Sequence, residues 1–219
     1  MIGKDLSEAR RDRITVAILA LGGQGGGVLA DWVIDLASCN GWIAQGTSVP
    51  GVAQRTGSTV YYIEMVRRSA LAANAPDPVL ALMPVPGDVD IVIASELMEA
   101  GRAILRGFVS GDRTLLIGST HRIYAVSEKS APGDGTASSQ RILDAAERRA
   151  ARFIGFDMDE AATQSRSVIS SIMFGALAGS GALPFDEAMF HDAIRKSGKA
   201  VEANLRGFAL GTQRAAGVQ

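Results

Sequence analysis

A chain of 219 residues with 47% hydrophobic and 21% charged residues has the make-up of a soluble globular protein and is long enough to bury a sizeable core. Its net charge of −1 gives no electrostatic support to a nucleic-acid partner. The single cysteine, Cys39, excludes a disulfide framework, a four-cysteine zinc site and a cysteine-held iron–sulfur cluster within the chain, and no apolar run reaches the ~18 residues of a membrane span.

Residues Met1 to Arg13 are charged and lack the apolar core of a secretion signal, so they read as a flexible leader of a cytoplasmic protein. Ile14 to Leu21 is a near-continuous apolar run, as expected for a strand of a parallel sheet covered on both faces. The glycine-rich turn Gly22-Gly23-Gln24-Gly25-Gly26-Gly27 follows it and opens a helix that buries Val28, Leu29, Trp32, Val33 and Leu36 and ends at Asn40-Gly41. Trp42 to Ser48 predicts a short second strand. Ser58 to Val66 predicts a third, with Val60, Tyr62, Glu64 and Val66 on one face and Tyr61, Ile63 and Met65 on the other. Pro76, Pro78, Pro84 and Pro86 mark a long irregular connection. Val89 to Ala94 reads as a fourth strand, Glu96 to Arg106 as a helix and Thr114 to Gly118 as a fifth strand. Ser127 to Ser139 is an exposed excursion rich in Ser, Gly and Pro, and Gln140 to Arg152 is a helix with a charged, solvated face. Helices over Ser167 to Leu177, Phe185 to Lys196 and Ala200 to Leu210 complete the chain. Strands alternating with helices early and helices clustering late predict an α/β fold: a mainly parallel, Rossmann-like sheet flanked by helices, with a helical C-terminal part. The expected organisation is a single domain over 14–211 and a small-residue tail over 212–219.

Five glycines in the six residues from Gly22 to Gly27 need a reason. Close packing of strand against helix accounts for one or two. The other account is a helix start whose free N–H groups and positive dipole end face an anion or a closely packed subunit. A dinucleotide fingerprint fits poorly, because Ala20 stands where the first glycine should be and there is no Asp or Glu from Leu36 to Ile63 to hold a ribose. A Walker loop fails for want of Gly-Lys-Ser/Thr. A second polar stretch, Gly46 to Ser58, would lie at the same sheet edge, beyond the carboxyl end of the second strand, where open α/β sheets bind ligands. Arg55 there could hold a phosphate or carboxylate bidentately, or be a rim arginine paired with a surface carboxylate. The two histidines, His121 and His191, lie far apart and have no partner by motif, so no nucleophilic triad is expected.

Together, the Gly-Gly-Gln-Gly after a strand and Ser48-x-x-Gly51-x-Ala53-Gln54-Arg55-x-Gly57-Ser58 resemble the gamma subunit or gamma domain of the 2-oxoacid:ferredoxin oxidoreductases. The beta subunit of indolepyruvate ferredoxin oxidoreductase is most similar. The likeness runs from about Ile14 to Gly211 and includes Glu96 to Arg102, Phe174-Gly175-Ala176-Leu177 and Asn204 to Gly211. The chain departs from the family at Val49-Pro50, where an acid and a His or Tyr are common, and at Thr56, where a second glycine is common.

The resemblance implies a subunit of an enzyme that decarboxylates a 2-oxoacid oxidatively to an acyl-CoA, indolepyruvate or another arylpyruvate being favoured. Thiamine diphosphate and the iron–sulfur clusters would belong to a partner subunit, and ferredoxin would take electrons indirectly. This chain would hold no catalytic residue or metal. It would border the active centre and share coenzyme A through Gly22, Gly23, Gln24, Gly25, Gly26, Ser48, Gly51, Gln54, Arg55, Gly57 and Ser58. No nucleic acid or membrane is implied, and a dimer stays open. The competing readings are a free-standing Rossmann-like oxidoreductase using NAD or FAD, and an assembly module whose glycines only pack.

Overall fold

The computed structural model describes residues 12–50, 58–123 and 138–218. Six strands form one sheet: β1 (Arg13–Leu21), β2 (Trp42–Pro50), β3 (Ser58–Arg67), β4 (Ile91–Ala94), β5 (Leu115–Ser119) and β6 (Arg152–Phe156), in the spatial order β2-β3-β1-β4-β5-β6. β1, β4, β5 and β6 run parallel, while β3 is antiparallel to both β1 and β2. Among the described residues seven α-helices flank the sheet: α1 (Gly26–Cys39), α2 (Leu97–Leu105), α3 (Ser139–Arg149), α4 (Met158–Ser165), α5 (Ile169–Gly179), α6 (Glu187–Ser197) and α7 (Val201–Ala216). The mainly parallel α/β architecture read from the sequence is the one observed.

The apolar character of β1 now has its reason. Val16 and Ile18 face a core built with α1, α4, α5, α6 and α7, while Ala17 and Leu19 face a second core with α2 and α3. Both faces of the strand are buried, so alternation disappears. β3 keeps the two faces expected of it: Val60 enters the second core, Ile63 and Met65 the first. In the first core Phe174 of α5 packs against Trp32, Phe190 and Phe208 at centroid distances of 5.4, 4.9 and 5.8 Å. These rings join α1, α5, α6 and α7 around one side chain.

Two elements depart from the reading. The charged helix α3 stops at Arg149, and Arg152 to Phe156 turns back as β6, paired in parallel with β5. Residues 157–165, unassigned by sequence, form the start and body of α4, where the Asp157 side chain accepts the Glu160 backbone N–H at 2.8 Å. α7 also continues past Leu210 to Ala216, because Gly211 is pressed against α5 rather than ending the helix. Residues 1–11, most of the Ser127–Ser139 excursion, and Gly51, Gln54, Arg55 and Gly57 lie outside the described residues. Among the described residues no helix is long and apolar enough to cross a membrane.

Candidate functional site at the carboxyl rim of the sheet

Strand direction decides what meets at the rim. Leu21, which ends β1, pairs with Ser58, which starts β3, and Pro50, which ends β2, pairs with Thr59. The glycine turn and both ends of the 51–57 connection therefore stand side by side at one edge. The carboxyl ends of β4, β5 and β6 share that edge.

The turn closes when the Gln24 N–H donates to the Leu21 carbonyl at 3.1 Å. Gly23 (φ +86°) and Gly25 (φ +72°) occupy the left-handed region, which side chains disfavour. Close approach explains a third position: a Cβ on Gly26 would lie 2.6 Å from the Ala20 Cβ and 2.7 Å from the Tyr61 ring. Packing and backbone conformation thus account for Gly23, Gly25 and Gly26. Gly22 is exposed, and Gly27 has only ordinary contact with Tyr61. Gly25 caps α1 without a side-chain acceptor for the first N–H groups, which stay available to an anion.

Gln24 points inward. Its Oε1 accepts the Leu21 N–H at 3.4 Å and the Ser95 hydroxyl, and its Nε2 lies 3.4 Å from His121 Nε2. His121 Nδ1 is 2.6 Å from Ser119 Oγ, which also accepts the Met158 N–H at 3.0 Å. The backbone N–H of Leu21 fixes the amide orientation, so Gln24 presents NH₂ to the imidazole. His121 Nε2 must then accept, and Nδ1–H must donate to Ser119. This Ser–His pair runs opposite to what a nucleophile and its base require, and Ser119 is buried. His121 has the hydroxyl partner that no motif revealed, and the fold uses it to hold Gln24. His191 lies elsewhere, on α6, edge-on to Phe208 and 3.5 Å from Glu187.

Two buried carboxylates stand behind this row. Glu96 caps α2, its side chain accepting the N–H groups of Met98 at 2.9 Å, Glu99 at 3.0 Å and Ile123 at 3.4 Å. Burial lifts its carboxyl above the ordinary value near 4.5 despite those donors. Glu99 is fully buried, accepts the Ser58 hydroxyl at 2.8 Å and pairs with Arg102. Ser58 is therefore spent on the interior. Ser48 is exposed on β2 and lines a cavity of about 180 Å³ with Gly27, Gly46 and Tyr61. Of the residues expected at the site, Gly22, Gly23, Gln24, Gly25, Gly26, Ser48 and Ser58 are thus gathered at the rim. Ser95, Glu96, Glu99, Ser119 and His121 join them unforeseen. The available signal was position: Ser95-Glu96 and Ser119 end continuously apolar strands, where open sheets carry their functional groups.

Among the described residues no group of three or more His, Cys, Asp or Glu could hold a metal ion. What the rim offers is donors: backbone N–H groups at an uncapped helix start, on a rigid sheet edge.

The chain is 26% identical over 211 residues to the indolepyruvate oxidoreductase subunit IorB of Pyrococcus horikoshii, covering 91% of this chain and 95% of that protein. In fold it matches the pyruvate oxidoreductase subunit PORC of Thermotoga maritima (TM-score 0.60, 16% identity, 92% of this chain and 96% of that one). It also matches the gamma subunit of a keto/oxoacid ferredoxin oxidoreductase from Geobacter sulfurreducens (TM-score 0.61, 14% identity, 93% and 99%). A third match is the 2-oxoglutarate:ferredoxin oxidoreductase of Magnetococcus marinus, solved with 2-oxoglutarate, coenzyme A and succinyl-CoA bound (TM-score 0.64, 13% identity, 96% of this chain). This chain spans 32% of that longer polypeptide. The family model for pyruvate ferredoxin/flavodoxin oxidoreductase matches residues 15–214, a span that takes in the glycine turn, all of the sheet but the first two residues of β1, and nearly all of α7, and the chain belongs to that family.

Proposed function

We propose that this chain is the gamma-type, non-catalytic subunit of a 2-oxoacid:ferredoxin oxidoreductase that converts indolepyruvate or a related arylpyruvate to its acyl-CoA. The observation that carries the reading is the register: Leu21 opposite Ser58 and Pro50 opposite Thr59 put an uncapped helix start beside the connection that bears Gly51, Gln54, Arg55 and Gly57. The IorB likeness supports the arylpyruvate class.

Iron–sulfur clusters do not fit this chain's own residues, since it has one cysteine, exposed on α1; nor does thiamine diphosphate, which is held through a divalent cation, because among the described residues no group of three or more His, Cys, Asp or Glu could hold one. They belong to a partner subunit, with ferredoxin accepting electrons there. This chain contributes a rim that borders the active centre. We assign its turn N–H groups and Arg55 to a coenzyme A phosphate, since a helix start suits an anion and a guanidinium can hold a phosphate bidentately. In the assembled enzyme Arg55→Ala should raise the KM for coenzyme A about tenfold, a loss of about 1.4 kcal/mol, with kcat little changed. An unchanged KM and kcat would remove Arg55 from the site. Gly25→Val should prevent assembly, since the left-handed φ and Ser170 Oγ at 2.8 Å leave no room for the side chain.

A further inference from the structure

The two outer strands of the sheet are finished differently. β6 is five residues long and opens on a charged residue, Arg152. β2 is nine residues long and contains no charged residue. Its register with β3 runs without a bulge from Trp42 opposite Arg67 to Pro50 opposite Thr59. Short length, charge, bulges and proline are the devices that keep an outer strand from pairing with another chain. β6 has the first two, whereas β2 has only a proline at its last position. Among the described residues, no backbone group of residues 43–49 bonds outside the β2–β3 ladder, so the outward N–H and C=O groups of β2 stay unpaired.

An apolar overhang stands beside this strand. The Ala81 N–H donates to the Glu64 carboxylate, and Thr47 Oγ1 donates to the Leu82 carbonyl at 2.6 Å. Residues 81 and 82 therefore lie over the middle of β3 and β2, on the face that Val60 turns to the second core. Leu82 is 62% exposed and Met83, next in the chain, 59%. On the opposite face α1 reaches the same strand, with Ile34 against Gly46. Nine residues span about 30 Å, and a side-chain layer about 10 Å deep on each face makes roughly 600 Å² per chain. A pair of such surfaces buries about 1,200 Å², above the ~1,000 Å² that a biological interface must clear.

The strand is complementary to itself. Antiparallel pairing about a two-fold axis at Gly46 sets Gln45 opposite Thr47, Ala44 opposite Ser48 and Ile43 opposite Val49 of a second copy, each pair occurring twice. Ile43 and Val49 are both apolar and β-branched, Ala44 and Ser48 are both small, and no charge meets a charge. Thr47 Oγ1 donates to Leu82 and keeps a lone pair for the Gln45 amide N–H of the second copy. We propose that two copies of this chain pair through β2 in this register, forming one sheet continuous across both, with Leu82 and Met83 of each copy closing over the joint. The antiparallel pairing turns the two carboxyl rims to opposite ends of the joined sheet, so each copy keeps its own rim for its own partner subunit.

The test is sedimentation equilibrium of the full chain over a range of concentrations, with cross-linking of the same chain alone and in the assembled enzyme. The wild type should pass reversibly from monomer to dimer. Gln45→Lys, at an exposed position, brings two ammonium groups together beside the axis and should weaken the dimer about tenfold, with circular dichroism unchanged. Arg55→Ala should leave the dimer as it is, which separates this pairing from the coenzyme A contact. In a Cys39→Ser background, Gln45→Cys with Thr47→Cys sets thiols opposite thiols across the joint. Oxidation should then link two copies of this chain, both alone and in the assembled enzyme. A chain that stays monomeric at every concentration, a Gln45→Lys dimer of wild-type affinity, or a cross-link to the thiamine-bearing subunit in place of a second copy would overturn the proposal.

Discussion

Gln24 carries more of the rim than its place among glycines suggests. Its amide accepts from a backbone N–H and a hydroxyl and donates to an imidazole, tying the ends of β1, β4 and β5 together. Gln24→Ala leaves the buried Ser95 hydroxyl short of an acceptor and should cost about 1–3 kcal/mol in urea unfolding. Nitrogen NMR of the imidazole should find the Nδ1–H tautomer of His121 in the wild type; the Nε2–H tautomer would refute the hydrogen-bond order assigned here. Glu96 makes a second prediction. Because burial raises its carboxyl above about 4.5, ionisation works against the folded state. Stability should therefore fall as pH rises from the unfolded value through the raised folded one. Glu96→Gln should flatten that part of the pH profile, seen as urea midpoints that no longer decline as pH rises from about 4.5. Neither group was legible from its own neighbourhood. The turn declared itself by glycine density, but Ser95, Ser119 and His121 acquire meaning only when separate strand ends meet.

At the scale of elements, α5 and α7 show how sequence can hide its reasons. Gly175 and Gly179 on one helix, and Gly207 and Gly211 on the other, repeat at four-residue spacing, so each helix turns a bare stripe to its neighbour. A Cβ on Gly175 would collide with the Phe208 carbonyl oxygen, and one on Gly211 with that of Ile172. Thr212 Oγ1 seals the crossing by donating to the Gly175 carbonyl at 3.1 Å. Gly211→Ala should destabilise the protein by about 1–3 kcal/mol or more, since two backbones must part. Gly111→Ala, where the added carbon meets only the Arg149 carbonyl at 3.6 Å, should be nearly neutral by thermal denaturation. A glycine near a chain end reads as a stop, which is why α7 was expected to finish early. β6 was missed for another reason: it is a five-residue edge strand, mostly half-exposed, that directly follows a charged helix and carries little periodicity of its own. The Asp157…Glu160 spacing is a helix-start signal that the reading of the sequence passed over. β1, β4 and β5 were legible because their apolar runs are short, β-branched and bounded by turn residues, and β3 because it alternates.

For the molecule as a whole, the two edges of the sheet do different work. At the amino ends, Arg13, Glu64, Asp88, Asp90 and Arg113 form a closed ionic network, with Arg113 Nε 2.7 Å from Asp90 and Arg13 Nη1 3.1 Å from Asp88. Burial there opposes ionisation of Asp88, but Arg13 and Arg113 outweigh it and hold its carboxyl below the ordinary value. That support is present above about 3.8 and is lost as pH falls through the lowered value. At the carboxyl ends Glu96 and Glu99 are buried and hydrogen-bonded, and the glycine turn leaves backbone donors at an uncapped helix start. One edge is closed upon itself, while the other presents groups that only another molecule can satisfy.

The reversed strand β3 carries that division one step further. Because β2 climbs to the rim and β3 descends from it, their pairing up to Pro50 and Thr59 is complete without any contribution from the residues that join them. Lengthening such a connection costs only ~0.6 kcal/mol per doubling. Two glycines inserted after Thr56 should leave the melting temperature within a degree or two while altering coenzyme A kinetics. Insertions can therefore accumulate between Pro50 and Ser58 at small cost, while the six-strand sheet beneath stays as it is.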